Sequence, residues 1–205
     1  MSFQSDEDVR HSTPRAPLIV VSGLPRSGTS MLMQMLDAGG IPMLSDAVRP
    51  PDASNPRGYY ELERVKRLHR EEDKSWLADG EGKAIKIISF FLVSLPDIHT
   101  YQVIFMERPL REILASQNRM LDDLAQERGK TTEHCLLQSY ENHLVSVRSF
   151  LASRPCFATL RVNYRDVLAQ PVGEAARIAG FLGRDLDTFR MARVVEERLY
   201  RNRCD

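Results

Sequence analysis

The sequence predicts an α/β fold, in which a mostly parallel β-sheet is covered by helices on both faces. Two short apolar runs, at residues 18–21 and 101–106, are each followed by a sharp break and then by apolar residues at helical spacing. With 205 residues, 42% of them hydrophobic, the chain is long enough for one domain with a substantial core. We therefore expect a single domain over residues 17–205, preceded by a polar N-terminal tail over residues 1–16.

The composition argues against several classes of protein and partner. Basic and acidic residues are equal in number, 28 of each, and provide no general attraction to nucleic acid. The three cysteines, Cys135, Cys156 and Cys204, are widely spaced and odd in number, which favours neither a disulfide framework nor a metal site. The tail lacks the apolar core of a secretion signal, and no run approaches the roughly 20 apolar residues of a transmembrane segment. We therefore expect a cytoplasmic protein that binds neither metal nor nucleic acid.

The first predicted strand and the segment after it indicate an anion-binding site. Residues 18–21 are apolar and rich in β-branched side chains, which is typical of a strand buried on both faces. Gly23 and Gly28 then break the strand, and residues 31–36 carry apolar side chains at helical spacing. The backbone N–H groups of such a turn converge with the positive end of the helix dipole. A phosphate or sulfate group is therefore expected at this turn.

This turn differs from the loop of a nucleotide triphosphatase. That loop has two glycines at the spacing of Gly23 and Gly28, followed by a lysine that reaches the β- and γ-phosphates. Here Thr29 occupies the lysine position, and Arg26 is the only cation in the turn. The replacement disfavours ATP, whereas an arginine inside the turn can neutralise an anion at the loop mouth. Hydroxyl groups supply further donors, from Ser27, Thr29 and Ser30.

Two motifs of the sequence resemble those of a known enzyme family. The string GLPRSGTS, at residues 23–30, is similar to the 5′-phosphosulfate loop of sulfotransferases that use 3′-phosphoadenosine 5′-phosphosulfate (PAPS), particularly the bacterial and protein-tyrosine enzymes. The second motif follows the strand at residues 101–106, where Arg108 precedes Ser116 by eight residues. In sulfotransferases, an arginine and a serine in this arrangement bind the 3′-phosphate of the nucleotide. The resemblance therefore implies a P-loop-type α/β fold that binds PAPS.

Later segments extend the resemblance from residue 18 to residue 203. NPRGYYELE at residues 55–63, RVNYRDVLAQP at 161–171 and VVEERLYRNR at 194–203 are similar to elements of bacterial sulfotransferases. Tyr164 keeps the position that the family associates with the adenine, and Arg165 stands where an acidic residue is more usual. The remaining periodic segments predict strands at residues 83–88 and 158–162, and helices at residues 62–68, 131–151 and 173–183.

The resemblance implies transfer of a sulfuryl group from PAPS to a hydroxyl or amine of an acceptor, which leaves 3′-phosphoadenosine 5′-phosphate (PAP) and requires no metal. Arg26 would act on the oxygen that bridges sulfur and phosphorus. Glu61 is the leading candidate for the base because it lies in the better-matched motif. The alternative bases are Asp46, Glu63 and His69. The residues expected to bind the cofactor are Pro25, Arg26, Ser27, Gly28, Thr29, Ser30, Arg108, Ser116 and Tyr164.

The sequence neither identifies the acceptor nor excludes two rival functions. Residues 42–73 are expected to shape the acceptor pocket, and the acceptor is a small molecule, a lipid or a glycan. Lys86 is either a solvated lysine at a strand end or a residue that faces the phosphosulfate. One rival is a kinase or hydrolase that uses the same loop on ATP. The other rival is a nucleotide-binding module without catalysis.

Overall fold

The computed structural model describes residues 16–46, 60–123 and 132–195. The expected tail, except residue 16, lies outside the described residues, as do residues 55–59 of the NPRGYYELE motif and residues 196–203 of the terminal motif. Four strands are formed by the described residues: β1 (Leu18–Gly23), β2 (Ala84–Lys86), β3 (Tyr101–Glu107) and β4 (Phe157–Asn163).

The four strands form one sheet in the order β2-β1-β3-β4, and each neighbouring pair is parallel. At the centre of the sheet, Val20 of β1 is paired with Ile85 of β2 on one side and Val103 of β3 on the other. All six residues of β1 are buried, because a central parallel strand is covered on both faces. The predicted α/β class is therefore confirmed, although β2 is shorter than the strand predicted over residues 83–88.

Helices and 3₁₀ turns connect the strands. The α-helices are α1 (Thr29–Ala38), α2 (Leu110–Asp123), α3 (Glu133–Ser153), α4 (Tyr164–Ala169), α5 (Pro171–Leu182) and α6 (Thr188–Arg193). The 3₁₀ segments are Glu63–Arg67, Ser75–Gly80 and Ser89–Ser94, the first of which replaces the α-helix predicted over residues 62–68. The helix predicted over residues 173–183 begins earlier, because Pro171 suits the first turn of a helix. Among the described helices, none combines the length and the apolar character that crossing a bilayer requires.

Each face of the sheet carries its own hydrophobic cluster. Ile19 and Val21 point to one face, where they belong to a cluster with buried residues of α1, α4, α5 and α6. Leu18 and Val20 point to the opposite face, where the cluster includes residues of α3 and of the three 3₁₀ segments. This alternation follows from the two-residue period of a strand. Both faces are therefore covered, as the sequence predicts.

The topology brings the chemically important segments to one edge of the sheet. In a parallel sheet all strands end at the same edge, and ligands bind outside these carboxyl ends. The glycine turn follows β1, and Lys86 is the last residue of β2. Arg108 follows β3 directly, and Tyr164 follows β4 directly. Residues that are far apart in the sequence thus meet at this edge.

Candidate functional site

The turn between β1 and α1 exposes backbone donors at its helical end. Gly28 precedes the helix with a φ of 111°, a left-handed conformation that suits glycine. No side chain caps this end of α1, and an early helical hydrogen bond runs from the N–H of Leu32 to the carbonyl of Gly28. The N–H groups of the first helical turn, from Thr29 onward, therefore have no partner within the helix. Together with the helix dipole, they form a site for an anion.

The aromatic ring of Tyr164 closes one side of this turn. A Cβ atom added to Gly28 would lie 2.5 Å from Cδ2 of Tyr164, well inside van der Waals contact. Tyr164 is buried at the start of α4, and the guanidinium of Arg108 lies 4.3 Å from the centroid of its ring. Such stacking is favourable because the ring face is electron-rich. The ring of Tyr164 therefore contacts both the turn and Arg108.

Arg108 is fixed by three contacts in addition to its burial. Its side chain is only 6% exposed. Nη1 donates a hydrogen bond of 3.2 Å to the carbonyl oxygen of Arg26, and Nε donates one of 2.9 Å to Oε2 of Glu112. The ring of Tyr164 supplies the third contact. A guanidinium held in this way keeps a defined position and orientation beside the turn.

A second hydrogen bond joins the turn to α2. Arg26, which has a φ of 68°, donates from Nε to Oγ of Ser116 at 3.1 Å. The two predicted phosphate motifs are therefore joined by two hydrogen bonds. In one, Arg108 donates to the carbonyl of Arg26, and in the other Arg26 donates to Ser116. The side chain of Arg26 thus lies beside a residue expected to bind the 3′-phosphate. Of the predicted cofactor residues, Arg26, Arg108, Ser116 and Tyr164 form one connected group.

Glu112 is a site residue that was not among the predicted ones. Its carboxylate is fully buried and accepts hydrogen bonds from two arginines. Arg108 donates to Oε2, whereas Arg165 donates to Oε1 from Nε at 2.9 Å and from Nη2 at 2.5 Å. The spacing of Arg108 and Glu112, four residues apart at the start of a helix, was a signal for an ion pair. Arg165, at the place where the family usually has an acidic residue, thus pairs with an acidic residue of α2.

Lys86 and Glu61 form a second group at the other side of the turn. The side chain of Lys86 is 7% exposed, and its Nζ donates to Oγ of Ser30 at 3.2 Å. The same Nζ donates to Oε1 of Glu61 at 3.4 Å, and Oε2 of Glu61 lies 3.8 Å from Nζ of Lys66. Lys86 is therefore a buried cation in contact with the turn, and it holds the Glu61 carboxylate beside that turn.

The other predicted bases have different surroundings. The carboxylate of Asp46 accepts a 2.5 Å hydrogen bond from the backbone N–H of Glu63, at the start of a 3₁₀ segment. Glu63 is exposed and pairs with Lys66 at 2.7 Å. His69 is exposed and stacks on Phe91, with 5.5 Å between the ring centroids. Glu61 differs from these candidates in its contact with Lys86, because Lys86 also contacts Ser30 of the turn.

The hydroxyl residues of the turn do not all face outward. Ser27 is 1% exposed, and its Oγ has no hydrogen-bond partner among the described residues. This oxygen lies so close to Gly23 that a Cβ atom there would be only 2.5 Å away, and the N–H of Ser27 donates to the carbonyl of Leu24. The Ser27 side chain therefore faces the protein interior. Thr29 is also buried, whereas Ser30 and Pro25 are partly exposed.

An open cleft of about 390 Å³ lies beside Arg108, between the end of β3, α2 and α3. Its apolar lining includes Leu24, Phe105, Ile113 and Leu144. Glu107 also lines the cleft and is paired with Arg148 at 3.0 Å and with Arg161 at 2.9 Å. The cleft therefore offers apolar surface that continues from Leu24 of the turn to Arg108.

A histidine of α3 contacts the segment after Lys86. Nε2 of His143 lies 2.9 Å from Oγ of the buried Ser89, and Phe90 stacks on the imidazole at 4.1 Å. Burial lowers the pKa of His143, so the ring is neutral at pH 7. This contact holds α3 against the segment that follows β2.

In the described part of the chain, no group of three or more His, Cys, Asp or Glu side chains is arranged to hold a metal ion.

Comparison with known proteins yields structural matches only. No protein-family model matches the chain, and no curated protein sequence matches it significantly. Sulfotransferase STF1 from Mycobacterium tuberculosis matches with 20% identity and a TM-score of 0.56, over 88% of this chain and 71% of that one. The sulfotransferase domain of the Synechococcus olefin synthase matches with 16% identity and a TM-score of 0.52, over 98% of this chain and 85% of that one.

A third match is to a structure that contains a nucleotide. Mouse sulfotransferase SULT7A1, solved in complex with PAP, matches with 18% identity and a TM-score of 0.52. The match covers 87% of this chain and 62% of the mouse chain. The resemblance to sulfotransferases that the sequence motifs predict is therefore confirmed at the level of the fold.

Replacing Gly28 by alanine tests the contact between the turn and Tyr164. We expect Gly28→Ala to lower the free energy of unfolding through two effects: a left-handed backbone, costing about 1–2 kcal/mol, and the overlap with the Tyr164 ring, costing about 1–3 kcal/mol. Gly40→Ala is the matched control, because Gly40 has a φ of 95° but no atom within 4 Å of the added Cβ. Denaturant unfolding of both variants measures the difference, and equal losses would contradict the packing described.

Proposed function

We propose that the protein is a sulfotransferase that moves the sulfuryl group of PAPS to a hydroxyl or amine of an acceptor. The observation that carries this proposal is the pair of hydrogen bonds that link the turn to Arg108 and to Ser116 of α2, from Arg108 to the Arg26 carbonyl and from Arg26 to Ser116. These bonds join the two segments that the resemblance assigns to the 5′- and 3′-phosphates. A ligand that carries anions at both ends of a nucleoside suits this arrangement.

The two groups of side chains would divide the donor between them. The N–H groups at the start of α1 and the Ser30 hydroxyl would hold the 5′-phosphate. Arg108 and Ser116 would hold the 3′-phosphate, and Tyr164 would lie on the adenine side. The other expected cofactor residues, Pro25, Ser27, Gly28 and Thr29, would act through the backbone shape of the turn, since Ser27 and Thr29 are buried.

The transfer step requires neutralisation of charge on the leaving phosphate. The bond between sulfur and the bridging oxygen of the 5′-phosphate breaks while a bond from sulfur to the acceptor oxygen or nitrogen forms, and PAP leaves with the bridging oxygen. Arg26, a residue of the turn, and Lys86, which contacts Ser30, would stabilise the negative charge that develops on this oxygen. Lys86 is suited to the task because its described contacts include Ser30 of the turn.

Glu61 would accept the proton that the acceptor loses. Lys86 and Lys66 lie 3.4 Å and 3.8 Å from its two oxygens and orient the carboxylate beside the turn. A base at this position would take the proton from an acceptor that is in line with the leaving phosphate. The acceptor would be a small molecule, a lipid or a glycan. A cytoplasmic location remains an expectation from the sequence.

Ligand preference distinguishes this proposal from an ATP-dependent kinase or hydrolase. At matched concentrations, we expect PAP to raise the unfolding temperature more than ATP with Mg²⁺, because Thr29 replaces the lysine that would reach a γ-phosphate. Arg108→Ala removes charge-assisted hydrogen bonds and should weaken PAP binding about 10- to 100-fold. Arg111→Ala is the control, because Arg111 is a nearby exposed arginine in the first turn of α2. Stronger stabilisation by ATP with Mg²⁺, undiminished in Arg108→Ala, would overturn the proposal.

Glu61→Gln tests the assignment of the base. With PAPS and the best acceptor from a screen of phenols, alcohols and amines, we expect turnover to fall about 10²- to 10⁴-fold. PAP affinity should change less than about twofold, because the proposed base would contact the acceptor and not PAP. Glu63→Gln is the control, since Glu63 is a neighbouring exposed carboxylate that also pairs with Lys66. Parallel losses in turnover and PAP affinity would instead assign Glu61 a structural role.

A further inference from the structure

We propose that Arg165, acting through Glu112, sets the charge of the 3′-phosphate site and thereby its preference for a 3′-phosphorylated nucleotide. This inference rests on the proposed function and adds a positioning residue to it. Arg165 itself does not need to touch the ligand. Its role follows from the buried carboxylate that it shares with Arg108.

The three side chains form a chain of ion pairs with unequal exposure. Glu112 is fully buried, and the Arg108 side chain is 6% exposed, whereas the Arg165 side chain is 48% exposed. Each arginine occupies a different oxygen of the carboxylate. Charges that are shielded from water interact more strongly than charges on the surface. The negative charge of Glu112 therefore neutralises much of the positive charge of Arg108, unless a second cation also pairs with Glu112.

The balance of charge depends on Arg165. The two guanidinium groups and the one carboxylate of this chain of ion pairs carry one net positive charge, which adds to the charge of Arg26 beside Ser116. Without Arg165, the pair of Arg108 and Glu112 is electrically neutral, and a phosphate would have to compete with Glu112 for Arg108. A phosphate monoester carries about −1.5 to −2 charge at pH 7, so this loss of positive charge would weaken its binding. The 5′-phosphate, bound at the turn, would be affected much less.

The location of Arg165 favours this role over a role in helix stability. Arg165 lies in the first turn of α4, where a cation is unfavourable for the helix dipole. Its backbone is fixed, because its N–H donates to Oδ1 of Asn163 at 2.8 Å. From this fixed start, the side chain reaches α2, 53 residues away in the sequence. The unfavourable position is offset by the ion pair with Glu112.

The test compares the affinities for PAP and for adenosine 5′-phosphate (AMP), which lacks the 3′-phosphate, by calorimetric titration. We expect the wild type to prefer PAP. Arg165→Gln should weaken PAP binding about 5- to 10-fold and leave AMP binding within about twofold. The double variant Arg165→Gln, Glu112→Gln restores one net positive charge, on Arg108 alone. We expect it to recover most of the lost preference for PAP.

Arg177→Gln is the matched control. Arg177 has a side-chain exposure of 42% and also pairs with a carboxylate, Glu174, but it lies on α5. We expect its preference for PAP over AMP to equal that of the wild type. If it falls as far as in Arg165→Gln, the effect is one of overall charge and the inference fails.

The remaining outcomes separate this inference from the proposed function. If the wild type does not prefer PAP over AMP, both the proposed function and this inference are wrong. A wild type that prefers PAP, with an unchanged preference in Arg165→Gln, would remove this inference alone. Equal losses of PAP and AMP affinity, or no recovery in a folded double variant, would show a structural role instead. If the double variant does not fold, Arg165→Gln alone still tests the inference, because Arg165 is half-exposed and its replacement leaves the core intact. The ratio of PAP affinity to AMP affinity in that variant then decides whether the inference holds.

Discussion

The burial of the Arg108 guanidinium is the constraint on which the candidate site depends. A buried cation is costly unless each of its donors is satisfied, and here the partners come from three separate segments. The Arg26 carbonyl belongs to the turn after β1, Glu112 to α2, and Tyr164 to the start of α4. Satisfying one side chain therefore fixes the relative positions of the turn and of the segments that follow β3 and β4.

The parallel sheet makes this convergence possible. Its strand order places β1 and β3 side by side at the centre, with β4 next to β3. The turn, Arg108 and Tyr164 therefore follow three adjacent strands at one edge, while Lys86 approaches from β2 on the opposite side of β1. Two cationic groups result, one around Arg108 and one around Lys86, and the N-terminus of α1 lies between them. This spacing suits a nucleotide with anionic groups at two positions.

Much of the fold and part of the site could be predicted from the sequence, because local patterns determine them. The unbroken apolar run of β1 indicated a strand covered on both faces, and the structure confirms it. The interval from Arg108 to Ser116 indicated a phosphate motif only through its resemblance to the sulfotransferases, and that assignment stays a prediction. Side-chain partners that depend on tertiary packing could not be predicted. Arg165 meets Glu112 only because β4 pairs with β3, and Ser27 turns inward because Gly23 leaves space for its hydroxyl.

A crystal structure of the protein with PAP tests the central claim most directly, since that claim concerns where two phosphates bind. We expect the 5′-phosphate to accept hydrogen bonds from the N–H groups at the start of α1. The 3′-phosphate should lie within hydrogen-bonding distance of Arg108 and Ser116, with the bond from Arg108 to Glu112 retained. A nucleotide bound with its 3′-phosphate away from Arg108, or at a different edge of the sheet, would contradict the account.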